Sequence, residues 1–172
     1  MPALRKKPLP ARWQPAFWDT SAIIPLCCWQ LQTQTANRAY RLFPKMVVWW
    51  ATGVEGHSAL QRLEREQQLT AQEKQQALRT LGKYRALWTE VAPLDEVRNT
   101  AEQLLGKHGL RAADALQLAA ALVWCHTHPK GKTFIGADSR LIWVLNPRKL
   151  DLRSFSGLKN SQKALYTGIT SY

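Results

Sequence analysis

Four acidic residues stand where acids are least welcome: Asp19, Glu55, Asp114 and Asp138, each bordered by apolar residues. Asp19 ends the run Phe17-Trp18 and is followed by Thr20-Ser21-Ala22-Ile23-Ile24. Glu55 comes shortly after Val47-Val48-Trp49-Trp50, Asp114 lies at the start of the most apolar stretch of the chain, and Asp138 closes Thr133-Phe134-Ile135-Gly136-Ala137. Carboxylates that approach one another repel and are costly to desolvate unless a cation neutralises them. Hard divalent ions such as Mg²⁺ or Mn²⁺, which prefer oxygen ligands, are the natural counterions. Taken singly, Asp19 and Asp114 are more simply helix caps or first-turn partners of the helix dipole, Glu55 a first-turn acid and Asp138 a turn residue. The set of four reverses that preference.

The elements that must position these acids follow from periodicity. A first strand ends at Asp19, and the apolar residues 22–29 start a helix, with Pro25 tolerated if it falls in the first turn. Helical spacing covers Thr35 to Phe43, and Pro44 stops it. Met46 to Trp50 is β-branched and aromatic, a buried strand in which Trp49 and Trp50 point to opposite faces and both join the core. Gly53 to Arg65 reads as a helix with Glu55 in its first turn. Thr70 and Glu73 fit a capping box that opens a helix running to about Trp88. Asp95 caps a further helix through about Lys107, which Gly109 ends.

Arg111 to Cys125 is apolar almost all round and should be the central buried helix. Lys132 to Asp138 is a strand, Ser139 to Leu145 a helical turn or two, and Leu150 to Phe155 a last edge strand. Strands alternating with helices give an α/β domain with a mainly parallel sheet. In such a sheet the acids that end strands or open the following helices gather at the carboxyl edge, where open α/β folds place their ligands.

Composition sets the bounds. The chain has 172 residues, 45% hydrophobic with eight tryptophans, enough for one domain with a real core. No apolar run approaches the length of a membrane span, because charged or amide residues interrupt each one. Three cysteines, Cys27, Cys28 and Cys125, form no even framework and read as free thiols, which with the lack of a secretory pattern points to the cytoplasm. A net charge of +12, from 24 basic against 12 acidic residues, predicts attraction to a polyanion, nucleic acid first. Acids that hold a divalent ion inside so basic a chain suggest phosphodiester cleavage, with Lys and Arg holding the strand.

Four blocks then carry a resemblance. They are Asp19-Thr20-Ser21-Ala22, Trp49 to Leu60 around Glu55, Gly109 to Ala119 around Asp114, and Phe134 to Leu141 around Asp138. In this order and spacing, over residues 16–145, they resemble the blocks of PIN-domain nucleases, above all the VapC-type toxins of bacterial toxin–antitoxin pairs. The resemblance implies a PIN-like α/β/α sandwich and a Mg²⁺- or Mn²⁺-dependent endoribonuclease. It implies Asp19, Glu55, Asp114 and Asp138 as the catalytic acids, with Asp19, Asp114 and Asp138 as metal ligands and Glu55 as a ligand or a base orienting water. Ser21 would help fix Asp19 or a metal-bound water.

The resemblance also implies an RNA substrate, a cognate antitoxin protein and a homodimer. The chain departs from the family pattern at Gly53, and after Leu141, where Ile142-Trp143-Val144-Leu145-Asn146-Pro147 replaces an Ala-rich helix. The resulting division is a flexible basic arm over residues 1–15, a nuclease domain over 16–156 and a tail over 157–172.

Smaller constellations have plainer alternatives. Cys125-His126-x-His128 has neither finger nor helical zinc spacing, and no second ligand pair exists. His57 reads first as a surface or packed residue. Arg111, one turn before Asp114, is either a phosphate clamp or a surface charge. Lys6, Lys7 and Arg12, with Trp13 and Trp18, could bind RNA by charge and stacking, though a solvated arm beside core tryptophans is simpler. Two other functions stay open: a non-catalytic RNA- or partner-binding protein of the same fold, and a DNA-directed nuclease. Retention of all four acids favours the enzyme, since a pure binder gains nothing from negative charge beside its phosphates.

Overall fold

The computed structural model describes residues 14–128 and 132–137, together with the backbone of the strand Asp151–Ser154. Asp138, the Ser139–Leu145 segment, the tail 157–172 and all of the arm before Gln14 lie outside the described residues. In chain order the elements are β1 (Ala16–Trp18), α1 (Thr20–Cys27), α2 (Thr33–Leu42), β2 (Met46–Trp49), α3 (Thr52–Arg65), α4 (Ala71–Arg85), β3 (Thr89–Val91), α5 (Asp95–Lys107), α6 (Ala112–Trp124), β4 (Thr133–Gly136) and β5 (Asp151–Ser154). The strands form one sheet in the order β3-β2-β1-β4-β5. Every pair in it is parallel, with Ala16 opposite both Met46 and Thr133.

Alternation along the short strands sorts the core onto two faces. On one, Trp18, Val48 and Ile135 pack with Ile23, Leu60 and Leu81 from α1, α3 and α4 and with Phe43 just past α2. On the other, Phe17, Val47, Trp49 and Phe134 pack with Val97, Leu104, Leu118 and Leu122 from α5 and α6. Phe17 and Phe134 stack at 5.5 Å between ring centroids across the β1–β4 pair. This is the expected α/β/α sandwich, and it has a PIN-like fold. No helix of the described residues is long and apolar enough to cross a membrane.

Several elements differ from expectation for physical reasons. Helix α1 starts at Thr20 because Asp19 caps it, so Pro25 falls in the second turn and its ring nitrogen cannot supply a helix bond there. Helix α4 stops at Arg85, and Trp88 is buried beyond its end, next to a strand, β3, that sequence reasoning missed. Asp95 does not cap α5. Leu94 occupies that position, while Asp95 sits in the first turn and pairs with Arg98 at 2.9 Å. Trp50 lies past the end of β2 and is 52% exposed, whereas Trp49 is buried. The α3–α4 crossing depends on Gly56, where a Cβ would lie 2.9 Å from Leu81 Cδ2.

Candidate active site

Parallel strands bring their carboxyl ends to one edge, and the helices that follow begin there. Asp19 is the first residue past β1 and the N-cap of α1, and it is only 6% exposed. Its backbone N–H donates to the Ile135 carbonyl at 2.9 Å, tying the end of β1 to β4. Its Oδ2 accepts from the Ser21 N–H at 3.0 Å and from the Ser21 hydroxyl. Ser21 Oγ in turn accepts from the Ala137 N–H at 2.9 Å. One hydroxyl therefore fixes the aspartate and the end of β4 together, immediately before Asp138.

Burial pushes the Asp19 carboxyl up from 3.8 to about 6. The two bonds from Ser21 oppose that rise, and the negative charges of Glu55 and Asp114 add to it. Asp114 is half-buried in the first turn of α6. Glu55 and Asp114 therefore both lie within electrostatic reach of Asp19 at the carboxyl edge.

Glu55 is held by a different set of donors. Its Oε2 accepts from the Thr20 hydroxyl at 2.5 Å and from Gln117 Nε2 at 2.6 Å. Gln117 Nε2 also reaches Thr20 Oγ1 at 2.9 Å and, more distantly, Thr52 Oγ1 at 3.5 Å. Thr52 and Gln117 are both buried, and so this polar cluster joins the beginnings of α1 and α3 to the middle of the core helix α6. A buried amide without partners would cost about 1–3 kcal/mol, which explains why its nitrogen is so fully engaged. Sequence reasoning gave Thr20 no role toward Glu55 and passed over Thr52 and Gln117. The available signal was Gln117 itself, a polar residue one turn after Asp114 in an otherwise apolar helix.

The other candidates are placed plainly. Arg111 is the exposed N-cap of α6. His57 is exposed, and its Nδ1 bonds the Gly53 carbonyl at 2.8 Å within its own helix. Cys125 is buried with its thiol on the Leu122 carbonyl at 3.3 Å, whereas His126 and His128 are exposed. Trp18 is fully buried. Gly53 admits the Arg85 side chain, whose Cζ would lie 3.4 Å from a Cβ at that position.

Carboxylate oxygens are the donors a hard divalent cation prefers, and positive charge beside Asp19 would relieve the repulsion acting on it. Among the described residues no three His, Cys, Asp or Glu side chains are grouped closely enough to form a ligand set by themselves. The donor chemistry of Asp19 and Asp114 fits such an ion, and Asp138, the third expected ligand, lies outside the described residues.

The same fold occurs in VapBC-1 from nontypeable Haemophilus influenzae, at a TM-score of 0.56 and 14% identity over 83% of this chain and 99% of that one. A toxin–antitoxin complex from Klebsiella pneumoniae is similar at a TM-score of 0.49 and 19% identity, over 73% of this chain and 88% of that one. PAE2754 from Pyrobaculum aerophilum is similar at 0.49 and 21% identity, over 77% and 86%. No protein-family model matches the chain, and no curated protein does.

Proposed function

We propose that this chain is a Mg²⁺- or Mn²⁺-dependent endoribonuclease, the toxin component of a cytoplasmic toxin–antitoxin pair. The observation that carries the reading is the buried Asp19 at the carboxyl edge of the sheet, with Glu55 and Asp114 near enough for their charges to act on it. The fold shared with VapBC-1 supports it, as does the net charge of +12.

Asp19 and Asp114, with Asp138, would hold the ion, which when bound activates water and neutralises charge developing on the phosphate. Ser21 keeps the Asp19 carboxylate turned and ionised by donating to it. Glu55 accepts a proton from, or orients, the attacking water. Lys and Arg side chains, Arg111 among them, attract and hold the RNA backbone. An antitoxin protein and a second copy of the chain are the expected partners.

The second reading is a non-catalytic RNA- or partner-binding protein of this fold. The commitment of Glu55 Oε2 to two donors inside the protein favours it.

Cleavage of a mixed structured-RNA pool by the purified chain separates the two. It would be followed with Mg²⁺, Mn²⁺ or EDTA, and with Asp19→Asn and Asp114→Asn proteins checked for folding. Metal-dependent cuts that vanish in both variants are expected. Salt-sensitive RNA binding without cleavage would select the second reading, and cutting that survives EDTA would reject the mechanism.

A further inference from the structure

We infer that Gln117, acting with Thr20, is a positioning residue that fixes the Glu55 carboxylate at the acid cluster. The inference rests on the nuclease reading for its catalytic consequence, but its geometry stands independently. Gln117 lies within the most buried stretch of α6, between Ala115 and Leu118, and is 2% exposed. An apolar side chain of the same length would fill that space. Instead an amide reaches across to the starts of α1 and α3, elements far away in the chain.

The direction of the bonds is fixed by chemistry. Glu55 Oε2 has no proton to give when ionised, so at 2.6 Å it must face the amide nitrogen, because a turned amide would set two acceptors together. Thr20 has one hydroxyl proton, which goes to Glu55 Oε2, so its oxygen is left to accept from Gln117. The three groups form a closed triangle in which every bond points toward the carboxylate or supports one that does.

A second observation agrees. Gln117 Oε1 is buried and has no hydrogen-bond partner among the described residues. The amide is thus held through its nitrogen end alone, the end that faces Glu55 and Thr20. Asp114 and Gln117 stand three residues apart on one side of α6. A single helix thus presents one acid to the cluster and the donor that orients another.

The test begins with a readout independent of activity. In the full ¹⁵N-labelled chain the Gln117 side-chain amide pair is identified as the one lost in Gln117→Met. It should move in Glu55→Ala and in Thr20→Val, and return close to its original position in Thr20→Ser. A pair that stays put in both Glu55→Ala and Thr20→Val overturns the inference.

Kinetics supply the second arm. Gln117→Met should lower kcat by about 10–100-fold, the usual loss when a partner that orients a site carboxylate is removed, with KM within about twofold if the residue only positions. Added to Glu55→Ala, it should cause no further loss, because its effect passes through Glu55. A further loss of similar size in that background would assign Gln117 a structural role and overturn the proposal. A wild type without metal-dependent cleavage would sink the nuclease reading instead, and the amide shifts alone would then decide Gln117.

Discussion

Replacing Asp19 by asparagine should make the protein more stable while abolishing the metal-dependent cleavage proposed for it. Asparagine is as good an N-cap as aspartate, and its side-chain oxygen can still accept from the Ser21 N–H. What disappears is the ionisable group. Burial first, and then the charges of Glu55 and Asp114, raise the Asp19 carboxyl from 3.8 to about 6. At about 1.4 kcal/mol per tenfold change in proton affinity, holding that carboxylate ionised in the fold costs roughly 3 kcal/mol at most.

The sign follows from proton binding. Between the two values the folded protein holds a proton that the unfolded chain has released, so its stability falls as pH rises. The contribution is fully present below 3.8 and is lost as pH climbs through about 6. Urea unfolding in EDTA from pH 4 to pH 8 isolates the acid cluster, because titrating groups away from Asp19, Glu55 and Asp114 cancel between the two proteins. They should be equally stable near pH 4, with the asparagine variant ahead by up to roughly 3 kcal/mol at pH 7.5. Adding Mg²⁺ should then raise the stability of the wild type and leave the variant unchanged. A gap that does not vary with pH, or a variant less stable at pH 7.5, would refute the reasoning.

Two other substitutions probe the frame around the site. Gly56→Ala places a Cβ against Leu81, which is 1% exposed. Overpacking of about 1–3 kcal/mol should outweigh the roughly 1 kcal/mol gain in helix propensity, and the loss measured by denaturant unfolding should vanish in a Leu81→Ala background. Thr70→Ala removes the capping box of α4, in which Thr70 and Glu73 exchange bonds at 2.8 and 3.2 Å. Calorimetry should find Tm lower by about 2–4 °C at neutral pH. The Thr70 bonds lower the Glu73 carboxyl's proton affinity, so this difference should shrink as acid protonates Glu73.

The parts of the fold that were legible are those where burial writes itself into residue type. Met46 to Trp49 and Thr133 to Gly136 are four-residue strands buried throughout, and both stand out as apolar runs. Helix α6 is apolar enough to be placed at the centre from its sequence. Strand β3 carries no such mark, because Thr89 and Glu90 are exposed on an edge and only three residues pair. Trp50 misled for the opposite reason, since an apolar side chain need not be inside.

Asp19, Glu55 and Asp114 drew notice because each interrupts an apolar context, and the structure puts the last two within electrostatic reach of the first. Their supports were not legible. Thr20, Thr52 and Gln117 are drawn together from α1, α3 and α6 by tertiary packing alone, and no local spacing announces that Gln117 will meet Glu55.

The strand order has a consequence in time. β1 is the middle strand, and it pairs on one side with β2 soon after it in the chain and on the other with β4, where Ala16 meets Thr133. During synthesis at roughly 5–20 residues per second, several seconds separate the emergence of β2 from that of α6 and β4. Throughout that interval Asp19 has neither Asp114 beside it nor the Ala137 N–H that anchors Ser21, and Glu55 lacks Gln117. The acid site therefore cannot exist on a nascent chain that still lacks β4. The cluster is completed only once the chain has been made as far as Ala137.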